Sequence, residues 1–278
     1  MTVPDGQSQE AFPMRSDIRV ESLTFRYDDE VTALDDVSLV VRQGERVAVI
    51  GPNGAGKTTL AQHFNGMVKP TSGRVLVGDL DTAQHPIAVL AAKVGFVFQN
   101  PNDQLHAKTV AAEVHFGPRN LGFPPEHARE LVGRALESTG LTELADAHPH
   151  HLSLAQRKMV AIASVLAMDT PVVLLDEPTT GQDSTALDAL ATIIADLSLR
   201  GRTVIAITHD MDFCVENFDR VVLVEDGRIV QDGTPAEVFA GDRVARLPQL
   251  VRLGRELGWP EQVTTVEGFV DRLAATRA

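Results

Sequence analysis

Gly51-Pro52-Asn53-Gly54-Ala55-Gly56-Lys57-Thr58 is the stretch around which the chain is organised, and it reads G-x-x-x-x-G-K-[ST]. The run before it, Arg46-Val47-Ala48-Val49-Ile50, is apolar and β-branched, as a buried strand is. The run after it, Thr59 to Asn65, fits a helix with Gly66 as its stop. Strand, glycine loop and helix are the setting in which this pattern cradles phosphates. Glycines let the backbone turn successive N–H groups inward, towards phosphate oxygens. The helix N-terminus adds partial positive charge. In this reading Lys57 reaches the β- and γ-phosphates, and the Thr58 hydroxyl ligates Mg²⁺. A glycine-rich turn with a chance lysine would not need every fixed position filled between those flanks.

Composition narrows the rest. A length of 278 residues fits about two domains, or one large domain carrying an insertion. The hydrophobic fraction of 44% is ample for a packed core, yet no apolar stretch approaches the ~18 residues of a membrane span. The N-terminus has no basic region followed by an apolar run, so no signal peptide is expected. The single cysteine, Cys214, excludes an intramolecular disulfide framework and fits a reducing compartment. A formal net charge of −13 argues against nucleic-acid binding, which needs a positive surface against phosphates.

Residues 1–15 are polar, with Pro4, Gly6 and Pro13, and read as a loose, flexible tail. Ile18 to Tyr27 partly alternates and predicts a strand. Val37 to Val41 predicts a second, turning at Gly44, with Asp28-Asp29 in the connection between the two. Tyr27 closes the first strand; its ring can stack on adenine or simply pack at a sheet edge. Arg74 to Val77 and Lys93 to Phe98 read as further strands. Gln99 leaves the second of these where a side-chain amide can touch Mg²⁺ or an attacking water.

From Thr109 the pattern turns helical. Val110 and Val114 predict a short helix ended by Gly117-Pro118. A clearer one runs from Glu126 to Thr139, opened by Pro124-Pro125 and stopped by Gly140, with Ala128, Leu131, Ala135 and Leu136 as its apolar stripe. The strand rhythm does not return until after His151, so this stretch reads as an inserted helical subdomain. His148-Pro149-His150-His151 has no carboxylate or cysteine at helical spacing to complete a metal site, and its proline marks a loop. Ser153 with Gln156 forms a capping box before the helical run Val160 to Met168. Such a helix start is also an anion site, and spacing alone does not choose between the two.

Val172-Val173-Leu174-Leu175-Asp176-Glu177 is an apolar run ending in two acids, as a fully buried parallel strand does. Its carboxyl end is where open α/β sheets bind ligands. Beside a phosphate loop, Asp176 is the natural Mg²⁺ partner and Glu177 the natural general base for water. A helix follows at Leu187 to Leu199, then a second buried strand from Thr203 to Thr208. His209 follows that strand, able to donate to a γ-phosphate. Asp226-Gly227 between Val221–Val224 and Ile229-Val230 signals a type I′ hairpin. Thr234-Pro235-Ala236-Glu237 is another capping box. Leucine spacing from about 241 to 278 predicts short amphipathic helices.

In this order and spacing the segments resemble an ABC-type ATPase subunit over residues 18 to 240. The resemblance makes Tyr27 the adenine-stacking aromatic. It gives nucleotide contacts to Gly51, Pro52, Asn53, Gly54, Ala55, Gly56, Lys57, Thr58 and Thr59. Gln99 becomes the Q-loop glutamine, 152–156 the signature, 172–177 the Walker B strand and His209 the switch histidine. The implied fold is α/β: a P-loop NTPase (RecA-like) core, an N-terminal antiparallel β subdomain, and a helical subdomain inserted at about 104–168. The cassette would span 16–240, and 241–278 would be a C-terminal helical extension. ATP and Mg²⁺ are the implied ligands, with the metal on Thr58, Gln99 and Asp176. Catalysis would rest on Glu177, His209, Lys57 and Gln99. Such subunits close head to tail, so Ser153, Ala155 and Gln156 would face the nucleotide of a second ATPase subunit.

Within that family the chain looks most like the energy-coupling-factor (cobalt/biotin-type) importers of vitamins and transition-metal ions. The similar stretches are Phe98-Gln99-Asn100-Pro101-Asn102-Asp103-Gln104-Leu105, Thr109-Val110 through Glu113-Val114 to Phe116-Gly117, Asn120-Leu121-Gly122, and Ala161 to Met168. This resemblance implies a peripheral position on the cytoplasmic face of the cell membrane. A transmembrane scaffold subunit and a substrate-capture membrane protein would be partners. The alternatives are the ATPase subunit of a conventional ABC transporter, or a largely non-hydrolysing nucleotide-binding partner subunit.

Two positions depart from the family pattern. The signature is usually L-S-G-G-Q; its third place, here Leu154, varies in the family, but its fourth, here Ala155, is nearly always glycine. Gln182 stands where the D-loop usually has leucine. On a helix alanine is favoured over glycine by about 1 kcal/mol and keeps its N–H, but its methyl group crowds the opposing γ-phosphate. The expectation is a fully equipped phosphate loop and a weakened signature lent to the partner, which would leave one strong and one weak site in a heterodimer and damp both in a homodimer. Ala155→Gly should raise the steady-state ATPase rate; an unchanged rate would count against a weakened signature.

Overall fold

The computed structural model describes residues 16–27, 31–241, 243–244, 246–259 and 263–276. The expected tail at 1–15 and the Asp28-Asp29 connection lie outside them. The strands are β1 (Ile18–Tyr27), β2 (Val31–Val41), β3 (Arg46–Ile50), β4 (Ser72–Val77), β5 (Leu80–Asp81), β6 (Val94–Val97), β7 (Val172–Asp176), β8 (Thr203–Ile207), β9 (Arg220–Glu225) and β10 (Arg228–Gly233). The first half of the chain holds helices α1 (Lys57–Phe64), α2 (Ile87–Ala91), α3 (Val110–Asn120) and α4 (Pro125–Ser138). The second half holds α5 (Leu154–Leu166), α6 (Ser184–Leu199), α7 (Met211–Asn217), α8 (Pro235–Ala240), α9 (Gln249–Glu256) and α10 (Val266–Thr276).

The strands form two sheets. The larger has the order β10-β9-β3-β8-β7-β6, with β9, β3, β8, β7 and β6 parallel and β10 an antiparallel edge. The smaller, β2-β1-β4-β5, is antiparallel throughout. Every residue of β7 and β8 is buried, as a parallel sheet covered on both faces requires. Alternation divides their side chains between two cores. Val47, Val49, Val172, Leu174, Ile205 and Ile207 face the smaller sheet and α1. Ala48, Ile50, Val173, Leu175, Val204 and Ala206 face α3, α5 and α6. Between β6 and β7 the chain leaves the sheet, and α3, α4 and α5 pack on one another. Within α4, Ala128, Leu131, Ala135 and Leu136 supply the buried stripe that periodicity predicts.

Several boundaries differ from expectation for identifiable reasons. The second strand begins at Val31, not Val37. Asp36, at φ +51°, interrupts the pleat, and the shorter reading covers only the regular stretch that follows it. The helix after the phosphate loop starts at Lys57, α5 starts directly at the capping box, and α6 starts at Ser184 behind its Asp183 N-cap. Gly117-Pro118 does not end α3. Gly117 is packed so closely that a β-carbon there would meet Met168, and Pro118 is itself buried. The stop is Gly122, at φ +75°: its N–H donates to the Arg119 carbonyl, and the Phe123 N–H to that of Pro118. That pair is a Schellman ending. The Asp226-Gly227 turn does join β9 to β10, with both residues at positive φ.

Leu174, fully buried in the middle of β7, tests the central packing. Leu174→Ala should lower the unfolding free energy by about 2–5 kcal/mol, read by chemical denaturation.

Candidate functional site

The site is assembled at the carboxyl ends of four adjacent parallel strands. Ile50 of β3 leads into the phosphate loop, Val97 of β6 into Phe98 and Gln99, Asp176 ends β7, and Ile207 of β8 leads to His209. This is the edge where open α/β sheets hold ligands. Two of the loop's glycines, Gly51 and Gly56, are fixed by close approach. A β-carbon on Gly51 would stand 2.0 Å from the Val224 carbonyl oxygen, and one on Gly56 would stand 2.4 Å from that of Ala33. Gly56, at φ +100°, is the N-cap of α1, and no side chain caps that helix. The first amides of α1 therefore stay open to an anionic ligand.

A cleft of about 460 Å³ brings together Tyr27, Asn53, Gly54, Gly56, Lys57, Thr58, Thr59, Gln99, Asp176 and Glu177. Gly51, Pro52 and Ala55 complete the loop behind it. The Lys57 ammonium donates to the Gly51 and Pro52 carbonyls, both at 2.8 Å. Burial pushes its pKa down, against the pull of Glu177 and Asp176. The Thr58 hydroxyl donates to Asp176 Oδ2 at 3.0 Å. Burial pushes the Asp176 carboxyl up, and the Thr58 hydrogen bond opposes this. The other oxygen, Oδ1, is buried with no partner among the described residues. Glu177 turns out of β7 at φ +49°, and its Oε2 lies 2.6 Å from His209 Nδ1. The carboxylate can only accept, so Nδ1 carries the proton. Tyr27 is 44% exposed; its hydroxyl is 3.1 Å from Thr59 Oγ1, and its ring meets Phe25 edge-on.

Ser153, Ala155 and Gln156 lie elsewhere, at the start of α5. The capping box there is formed in both directions: Ser153 Oγ accepts from the Gln156 N–H, and Gln156 Oε1 from the Ser153 N–H. These residues border a second hollow of about 550 Å³, shared with Gln182. Both departures from the signature and D-loop patterns thus line one surface. Among the described residues no cluster of His, Cys, Asp or Glu could hold a metal ion; His148 stacks on His151, with ring centroids 5.0 Å apart, and its Nδ1 accepts from the His150 N–H at 3.2 Å.

Sequence reasoning missed two contributors. Val31, Thr32 and Ala33 at the start of β2 line the cleft opposite the loop. Their signal was hidden by the irregular pleat that follows them. Lys158 was passed over inside an apolar helical run, although a lysine among Met159, Val160, Ala161 and Ile162 is itself a signal.

This constellation defines a P-loop nucleotide hydrolase, and similarity to known proteins narrows it. The ABC transporter family matches residues 34–180. The energy-coupling factor transporter ATP-binding protein EcfA of Methanothermobacter thermautotrophicus is 41% identical over 235 residues, covering 84% of this chain and 76% of that protein. The EcfA protein of Methanocaldococcus jannaschii is 39% identical over 259 residues, covering 91% and 93%. Among solved structures, cbiO1 from Clostridium perfringens, part of the ABC transporter complex cbiONQ, superposes with a TM-score of 0.74 at 38% identity, covering 87% of this chain and 98% of that one. A dimeric ATP-binding cassette in a post-hydrolysis state with ADP and Pi gives 0.71 at 27% identity, covering 78% and 98%. The chain belongs to the ABC transporter family, among the energy-coupling factor transporter ATP-binding proteins. It is accordingly a nucleotide-binding ATPase whose hydrolysis is coupled to transport. Among the described residues no helix is long and apolar enough to cross a membrane.

Asp176 offers a test of the site's electrostatics. Its folded-state pKa is raised, so its contribution favours the fold at low pH and is lost as pH rises through that raised value. Without nucleotide or metal, Asp176→Asn should be more stable than wild type at neutral pH by about 0.5–2 kcal/mol. The gap in thermal or chemical unfolding should shrink as pH falls into the ordinary carboxylate range, around 4.

Proposed function

We propose that this chain is the ATP-hydrolysing subunit that energises an energy-coupling-factor importer for a vitamin or transition-metal ion. In this reading it is peripheral, on the cytoplasmic face of the cell membrane. It pairs with a second ATPase subunit under a transmembrane scaffold, and a separate membrane protein captures the substrate. Residues 16–240 serve as the cassette and 241–278 as a C-terminal extension. The observation that carries the catalytic part is the convergence of the Thr58–Asp176 pair and Glu177 on the phosphate loop in one cleft, with His209, which borders a neighbouring hollow, bonded to Glu177 from outside it. The importer part is supported by identity near 40% to EcfA proteins over most of the chain.

The residues also fit Mg²⁺. Asp176 Oδ1 is buried without a partner, and the Thr58 hydroxyl and the Gln99 amide share its cleft. An all-oxygen set of this kind suits a hard divalent cation. Thr58, Gln99 and Asp176 would hold the ion, which when bound neutralises charge on the β- and γ-phosphate oxygens. The chain's own groups do the remaining work. Tyr27 stacks on the adenine. The loop amides of residues 53–59 and the Lys57 ammonium hold the phosphates and stabilise charge that develops on them. Glu177 orients a water in line with the γ-phosphorus and takes its proton. The water oxygen–phosphorus bond forms as the bond to the β-phosphate oxygen breaks, leaving ADP and phosphate. His209 holds Glu177 through Nδ1–H. Its other nitrogen donates to a γ-phosphate oxygen only as the imidazolium. Ser153, Ala155 and Gln156 face the partner subunit's nucleotide.

Glu177→Gln should bind ATP as tightly as wild type and lose hydrolysis by about 10²–10⁴-fold, the span of general-base catalysis; hydrolysis at the wild-type rate would remove Glu177 from that role. Tagged chain drawn from detergent-solubilised native membranes should bring with it a polytopic scaffold and a small membrane protein. Recovery of the chain alone, in the soluble fraction, would overturn the importer reading.

A further inference from the structure

Lys158 is 2% exposed, one turn into α5 and five residues after Ser153. An ammonium in the core carries a desolvation cost that a methionine or leucine of similar reach would avoid. Burial lowers its pKa, while Glu177 and Asp176 oppose that effect. Its hydrogen bonds account for its presence. The ammonium donates to the carbonyl oxygen of Glu177 and, at 3.1 Å, to that of Thr180.

Those two carbonyls bracket the turn that carries the chain out of β7. The turn is strained at its first residue. Glu177 is left-handed at φ +49°, a conformation that a non-glycine residue keeps only where its surroundings over-determine it. The Glu177 N–H donates to the Ile207 carbonyl of β8 at 2.9 Å, its carbonyl accepts from Lys158, and its carboxylate accepts from His209. Within the turn itself the same carbonyl also accepts a longer bond, at 3.4 Å, from the Thr180 N–H. The first and third come from the strand and loop beside Glu177. The second comes from α5, the helix whose capping box carries Ser153 and Gln156. Among the described residues Lys158 is therefore the side chain of α5 that bonds to the backbone of Glu177 and, through Thr180, to the start of the loop carrying Gln182.

We infer that Lys158 is a positioning residue for hydrolysis: it holds the Glu177 backbone in its left-handed turn and so aims the carboxylate into the cleft. It does not line the cleft. Its effect passes through Glu177, and the inference rests on the reading of Glu177 as the general base. Movement of α5 relative to β7 would be felt directly at that residue.

The test compares Lys158→Met, Lys158→Gln, Glu177→Ala and the double variant Lys158→Met/Glu177→Ala in the full chain. Each is assayed for ATP turnover and, with a fluorescent ATP analogue, for nucleotide binding. Lys158→Met should lower kcat by about 10²-fold, the scale of a misaimed catalytic group, with KM for ATP unchanged. Lys158→Gln keeps a donor and should recover part of the loss. In single-turnover assays the double variant should fall no further than Glu177→Ala alone. Wild-type kcat in Lys158→Met, a loss expressed in KM instead, or additive losses in the double variant would each overturn the inference. Should Lys158→Met fail to bind the analogue, Lys158→Gln decides: a reduced kcat with unchanged KM supports the role, and a wild-type kcat removes it. Wild-type turnover in Glu177→Ala would instead sink the general-base reading itself, which keeps the two failures apart.

Discussion

Val49, Ile207 and Asp176 lie side by side across β3, β8 and β7, paired by parallel hydrogen-bonded register. Leu175, next to Asp176, pairs in turn with Val97 of β6. A slip of one residue in any of these strands would exchange its two faces, turning one core's side chains towards the other. Because both faces are buried against different partners, the sheet has one register to adopt. The reach of every group in the cleft follows from it. Thr58 meets Asp176, and Glu177 meets His209, because their strands end in the same row. The site is thus less a feature of its loops than of the sheet that presents them.

Most of this row is legible in the sequence because burial and chemistry alternate in it sharply. The runs before Gly51, Gln99, Glu177 and His209 are short, apolar and rich in β-branched residues, and each stops abruptly, the first at a glycine and the others at polar residues. The capping boxes at Ser153 and Thr234 are equally local, and both are formed. What the sequence hides is non-local. Nothing near Gly117-Pro118 says that Met168 will pack against it, so a pair that usually breaks a helix is read as its end. The start of β2 is masked by the irregular residue Asp36, and the cleft wall at Val31–Ala33 goes with it. Lys158 carries the same lesson, since its acceptors lie 19 and 22 residues away.

The departures from the family pattern fall together in space. Ala155 and Gln182 border the same hollow, on the surface where α5 and the loop after Glu177 meet. Both polar atoms of the Gln182 amide are buried without a partner among the described residues, a cost of about 1–3 kcal/mol for each group left unsatisfied. Leucine would carry no such cost there. The cleft itself shows no comparable departure. The two departures are thus gathered on one surface, away from the cleft that holds Lys57, Thr58 and Asp176.

The hairpin after β9 reaches back to the phosphate loop. The Gly227 N–H donates to the Ala55 carbonyl, the Gly227 carbonyl accepts from the Asp35 N–H, and the Val224 carbonyl presses on Gly51. The loop that opens at residue 51 is thus walled by residues more than 170 positions downstream. During synthesis, the phosphate-binding segment leaves the ribosome long before its supports. Domains of such high contact order form late, because distant segments must meet before their contacts are rewarded. The nucleotide site is one of the last parts of this chain that can become whole, and a chain cut short before the hairpin would carry the motif without the pocket.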